Sequence, residues 1–109
     1  MNEKIVKAKV KKLLDSFKPD VWYFMPFMSG MGRAGIPDFI INCNGKFIAV
    51  EAKASPDRQP TVVQQRELSA ILQAGGTSLV IHSDNIKDLS DTLRDILGLE
   101  RVEDEQCEY

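Results

Sequence analysis

The sequence predicts an α/β fold with elements in the order α-β-β-β-α-β-α, a mixed central sheet flanked by helices. Three observations carry this expectation. Apolar residues recur at helical spacing in three separate segments, and short β-prone runs lie between them. Two of those runs are joined by Asn44-Gly45, the strongest short-range signal for a hairpin. With 109 residues, 43 % of them hydrophobic, the chain can bury a core without disulfide or metal staples, so one domain is expected.

In chain order, residues 2–18 read as a helix with Val6, Val10, Leu13, Leu14 and Phe17 on its apolar stripe. Lys4, Lys7, Lys11, Lys12 and Lys18 lie largely off that stripe. Residues 21–27 (VWYFMPF) are β-prone, with Pro26 marking an irregularity or an edge. Trp22, Tyr23, Phe24 and Phe27 are expected in the core. SGMGRAG at 29–35 is a glycine-rich loop bearing Arg33. Residues 38–43 (DFIINC) and 46–53 (KFIAVEAK) form the two arms of the hairpin. SPDRQP leads to Thr61 as N-cap of a helix over about 62–74, which Gly75-Gly76 ends. LVIH at 79–82 reads as a buried strand. Ser83 and Asp84 are expected to cap a last helix, whose stripe is Ile86, Leu89, Leu93, Ile96 and Leu97. The domain is expected to span 1–98, followed by an acidic tail over 99–109.

Composition excludes several functions. No run approaches the ~18 apolar residues of a membrane span, and the Lys-rich start lacks a signal-peptide core. Cys43 and Cys107 have no CxxC spacing and His82 is the single histidine, which argues against zinc and fits a reducing cytoplasm. His82 is expected to be structural. Neither a phosphate-binding GxxxxGK[ST] loop nor a dinucleotide GxGxxG is present. The formal charge of −2 first argues against nucleic acid, but it is unevenly spread. Residues 1–66 carry eleven basic and six acidic side chains, whereas residues 67–109 carry three and ten.

The hairpin sets two carboxylates against each other. With a two-residue turn at Asn44-Gly45, Cys43 faces Lys46, Ile41 faces Ile48, Phe39 faces Val50 and Asp38 faces Glu51. Strand alternation puts Asp38, Glu51 and Lys53 on one face. Like charges directly opposed destabilise a sheet, so the pair needs a shared proton or a cation. A hard divalent ion suits oxygen ligands, and metal-assisted phosphodiester cleavage uses such a pair beside a lysine. The bland alternative is that Asp38 is a turn residue and Glu51 and Lys53 a solvated edge. The lysines of the first helix likewise read as a solvated face or as a phosphate-binding one, and Arg33 as a solvated or a phosphate-contacting side chain.

The string GIPDFIINCNGKFIAVEAK, residues 35–53, resembles the PD-(D/E)xK nuclease superfamily, and more closely its VRR-NUC family. Glu3 in the first helix, MSGMGRAGIPD at 28–38, PTVVQQREL at 60–68 and QAGG at 73–76 extend the likeness over roughly residues 3–82. The resemblance implies a restriction-endonuclease-like αβββαβ core. It implies that Asp38, Glu51 and the backbone carbonyl of Ala52 ligate Mg²⁺ or Mn²⁺, that Lys53 positions the attacking water, and that Glu3 completes the acidic cluster directly or through a metal-bound water. Gln64 best fits the family's glutamine, with Gln65 as near competitor. Lys7, Lys11 and Arg33 would meet the DNA backbone.

The implied activity is structure-selective endonuclease cleavage of branched DNA, as a Holliday-junction resolvase acting as a homodimer. The alternatives are a restriction-type or flap nuclease of the same superfamily, and a non-catalytic nucleic-acid-binding module that keeps the fold.

Overall fold

The protein is described by a computed structural model that covers residues 2–27 and 32–103. Helix α1 (Glu3–Ser16) begins at Asn2, whose side-chain oxygen accepts the Ile5 N–H at 2.9 Å. Its stripe of Val6, Val10, Leu13 and Leu14 is buried. Strands β1 (Val21–Phe24), β2 (Phe39–Cys43) and β3 (Lys46–Ala52) follow, then α2 (Val62–Gln73), β4 (Thr77–Ile81) and α3 (Ile86–Leu97).

The four strands form one sheet in the order β1-β2-β3-β4. The first two pairings are antiparallel and β3-β4 is parallel, so the sheet is mixed. The hairpin register is the one that Asn44-Gly45 predicts, with Cys43 opposite Lys46, Ile41 opposite Ile48 and Phe39 opposite Val50. Both turn residues take positive φ, 49° and 89°, as a two-residue turn of this twist demands.

One sheet face carries Val21, Phe39, Ile41, Cys43, Ile48, Val50, Ala52 and Ile81, and packs on α1 and α3. These residues and the stripes of the two helices make the main core. The other face is covered by α2, which lies over β3 and β4. Leu68 is its buried anchor, and the Ser78 hydroxyl donates to the Leu68 carbonyl at 3.0 Å.

Several expectations need correction. The strand expected over 21–27 ends at Phe24, and Asp38 and Lys53 fall just outside their strands. The strand expected at 79–82 begins earlier, because Thr77 and Ser78 pair with Ile48 and Ala49. Neither Ser83 nor Asp84 caps α3. Asn85 is the N-cap, and its side chain is spent elsewhere, accepting the His82 N–H at 2.7 Å and donating to the Val80 carbonyl at 2.9 Å. His82 Nδ1 accepts the Asp84 N–H, so this histidine shapes a turn.

The aromatic run is the largest correction. Only Tyr23 packs inward, near Phe39, with its hydroxyl donating to Asp15 at 2.7 Å. Trp22 is 61 % exposed, Phe27 89 %, and Phe24 is also exposed. Trp22 and Phe24 sit on the face that α2 covers only over β3 and β4, so among the described residues the β1-β2 end stays bare. Of the expected tail, residues 99–101 are tied back to α3: the Leu99 N–H donates to the Arg94 carbonyl, and Arg101 pairs with Asp95 at 2.6 Å. Residues 104–109, Cys107 among them, lie outside the described residues, as do Met28–Met31 of the glycine-rich loop.

Candidate active site

Glu51 is on β3, one of the two interior strands, and points to the α2 face. It is 2 % exposed, which for a carboxylate demands a reason. Three neighbours surround it. Gln64 Nε2 donates to its Oε2 at 3.1 Å, Lys53 Nζ stands 3.5 Å from the same oxygen, and Asp38 faces it across the hairpin. Its other oxygen, Oε1, is buried without a hydrogen-bond partner among the described residues. Burial, and then the charge of Asp38, push the Glu51 carboxyl up to about 7, and the Lys53 ammonium offsets only part of that.

Asp38 sits at a bend directly before β2, where the ladder has ended. Its Oδ2 accepts the Ala52 N–H at 2.8 Å, a bond that a longer β2 would have supplied from its own backbone. In an extended strand the N–H and C=O of one residue leave on the same side, so the Ala52 carbonyl also faces the Asp38 side. Asp38 Oδ1 lies 3.4 Å from Lys7 Nζ, and Lys7 Nζ is 3.5 Å from Glu3 Oε2 one helical turn below. Burial alone would lower the Lys7 ammonium, but Asp38 and Glu3 together hold it above its ordinary value.

The approach of the PD segment depends on Gly35. Its φ is +79°, and a Cβ there would lie 2.6 Å from Val63 Cγ1 and 2.8 Å from the Val63 carbonyl oxygen. Only glycine lets the loop before Asp38 lie against the first turn of α2. That turn is set by a capping box: Thr61 accepts the Gln64 N–H while the Gln64 side chain accepts the Thr61 N–H. The same Gln64 side chain turns its amino group to Glu51, so one residue closes both the helix start and the site.

The residues named from the sequence therefore separate into groups. Glu3, Lys7, Asp38, Glu51, Lys53 and Gln64 form one connected set. Gln65 points away, donating to the Pro60 carbonyl, and lines the outer face of α2 with Arg66 and Ser69. Arg33 is exposed and pairs with Glu67 of α2 at 2.8 Å. Lys11 is exposed on α1, one turn beyond Lys7. Sequence reasoning misses Arg58. It lines a concave surface with Glu3, Lys53, Ala54 and Gln59 beside the acids, and its position in the polar SPDRQP link offers no periodic signal.

Among the described residues, no three Glu, Asp, His or Cys side chains converge into a ready-made cage for a metal ion. Two carboxylates and one backbone carbonyl do converge, and one buried carboxylate oxygen lacks a partner. That donor set fits a hard divalent ion that keeps several of its waters.

Neither a sequence-family model nor a curated protein matches the chain. Solved structures do. One described as a VRR_NUC domain superposes with a TM-score of 0.70 at 23 % identity, covering 82 % of this chain and 94 % of that one. Another, described as a VRR_NUC domain protein, superposes at 0.70 with 16 % identity over 88 % and 90 % of the two chains. The chain has the VRR_NUC fold. Its mixed four-stranded sheet with flanking helices is the restriction-endonuclease-like α/β architecture that the resemblance of residues 35–53 implies. Within the VRR_NUC fold of this chain, the connected acid-lysine set sits at the end of the sheet where β2 starts and β3 ends.

Proposed function

We propose that this domain is a Mg²⁺- or Mn²⁺-dependent endonuclease that hydrolyses phosphodiester bonds in branched DNA, four-way junctions above all, as a homodimer. The observation that carries this reading is Glu51: an almost fully buried carboxylate with one unpartnered oxygen, set against Asp38 and beside Lys53. A structural ion pair would leave neither the spare oxygen nor the second acid.

Asp38, Glu51 and the Ala52 carbonyl would hold the ion. When bound, it supplies charge for the developing phosphorane oxygens and acidifies water. The chain's own side chains do the rest. Lys53 Nζ, anchored by Glu51, orients the attacking water and donates to the phosphate oxygen. Gln64 fixes the rotamer of Glu51 through its bond to Oε2. Lys7, Lys11 and Arg33 contact backbone phosphates without reading bases, consistent with selection by branch shape.

The homodimer draws support from the bare sheet face. Trp22, Phe24, Ile40, Asn42 and Phe47 share it, with no charged side chain in those two rows. The Trp22 and Phe24 rings lie 5.7 Å apart. A second copy can cover such a face without desolvating a charge, and aromatic residues are favoured at interface centres. Trp22→Ser and Phe47→Ser would then shift sedimentation from dimer to monomer; parent protein sedimenting as a monomer refutes the dimer.

The decisive assay is a panel of end-labelled four-way junction, flap, single-stranded and linear duplex DNAs, with Mg²⁺ or Mn²⁺. The parent should cut the junction, and Asp38→Ala and Lys53→Ala should lose about 10³-fold or more. Undiminished cutting by both variants overturns the site. Binding without cutting on every substrate favours a non-catalytic module, and sequence-dependent cutting of linear duplex favours a restriction-type enzyme.

A further inference from the structure

The geometry points to Lys7 as a built-in cation of the site, filling the position between Asp38 and Glu3 that a second divalent ion would need, so that the site takes one divalent ion. This inference rests on the metal-dependent reading above and adds the ion count and a role for Lys7.

Lys7 Nζ bridges two carboxylates, 3.4 Å from Asp38 Oδ1 and 3.5 Å from Glu3 Oε2. In two-ion sites the ions stand about 3.5–4 Å apart and share a bridging carboxylate. Asp38 is the residue placed to bridge here, since Glu51 lies on one side of it and Glu3 on the other. Its two oxygens are already divided: Oδ2 accepts the Ala52 N–H and keeps a lone pair for the one ion, whereas Oδ1, which a second ion would have to share, faces the Lys7 ammonium. Glu3 thus reaches Asp38 through Lys7, and among the described residues no three carboxylates gather around one point.

The charge count agrees. Glu3, Asp38 and Glu51 face Lys7 and Lys53, leaving a formal −1 that one divalent ion turns to +1. A second divalent ion would have to displace the Lys7 ammonium or sit against it. Lys7 projects from a helix that Val6 and Val10 pack on the core, so its stem has a fixed origin. An ammonium held there also stays positive beside a scissile phosphate at neutral pH.

The test counts bound ions directly, by Mn²⁺ titration followed by calorimetry and by the electron paramagnetic resonance of free Mn²⁺. The parent should bind one Mn²⁺ per chain. Lys7→Met, which keeps the helix and the stem but removes the charge, should bind two, and Lys7→Gln serves as a second neutral variant should the first misfold. Lys7→Arg and Lys11→Met should each bind one. Two ions in the parent, or one ion in both neutral variants, overturn the role of Lys7 and leave the nuclease reading standing. No Mn²⁺ bound by the folded parent overturns both.

Discussion

Replacing Glu51 by glutamine should stabilise the metal-free protein at alkaline pH while abolishing metal binding. The carboxyl titrates near 7 in the fold against an ordinary value of 4.5, because burial and the facing Asp38 both disfavour its charge. Each pH unit of that difference is worth about 1.4 kcal/mol, so ionised Glu51 costs the folded state on the order of 3 kcal/mol. The cost is absent below pH 4.5, grows as the unfolded chain ionises first, and is complete once pH has passed 7. A glutamine side chain is the isostere of the neutral acid, so Glu51→Gln removes the whole dependence. In chelator, urea or thermal melts at about pH 8 should show the variant about 3 kcal/mol, or on the order of 10 °C, more stable than the parent. The gain should fall to about 1 kcal/mol at about pH 5. A variant no more stable than the parent at the higher pH, or a gain of the same size at both pH values, refutes the account of Glu51 as a buried, strained acid.

Other substitutions separate the supporting contacts. Gln64→Ala removes half of the capping box and the bond to Glu51, so it should lose about 1 kcal/mol of stability and at least about tenfold in cleavage rate, whereas Gln65→Ala should change both little. Gly35→Ala places a methyl group against Val63 at a positive φ, and should cost about 2–3 kcal/mol in urea melts and slow cleavage through displacement of the PD segment. Millimolar Mn²⁺ at about pH 8 should raise the melting temperature of the parent and leave that of Glu51→Gln unchanged; equal shifts would place the ion elsewhere.

The parts of this fold that are legible in the sequence are those decided by neighbours along the chain. Asn44-Gly45 sets a register that carries Phe39 opposite Val50, and alternation then assigns Glu51 to the face away from the main core. Thr61 and Gln64, three residues apart, announce the start of α2. What stays hidden depends on packing between distant segments. Trp22 and Phe24 look like core residues because strands of that composition usually are, yet whether their face is covered depends on where the β3-α2-β4 crossover lies. Lys7 reads as one of several helix lysines, and helical period cannot say that Asp38, thirty-one residues on, will meet it. Ser83 and Asp84 are good capping residues passed over because Asn85 ties the end of β4 to the start of α3.

Trp22 is the sole tryptophan of the chain, and its indole is mostly in water. Its emission therefore reports on one place only, the uncovered end of the sheet. No fluorophore has to be engineered, and the signal comes without a buried background from other indoles. Any molecule that covers this face will move the spectrum to shorter wavelength and shield it from iodide. Dilution of the protein alone, or addition of DNA at fixed protein concentration, then tells which of the two does the covering.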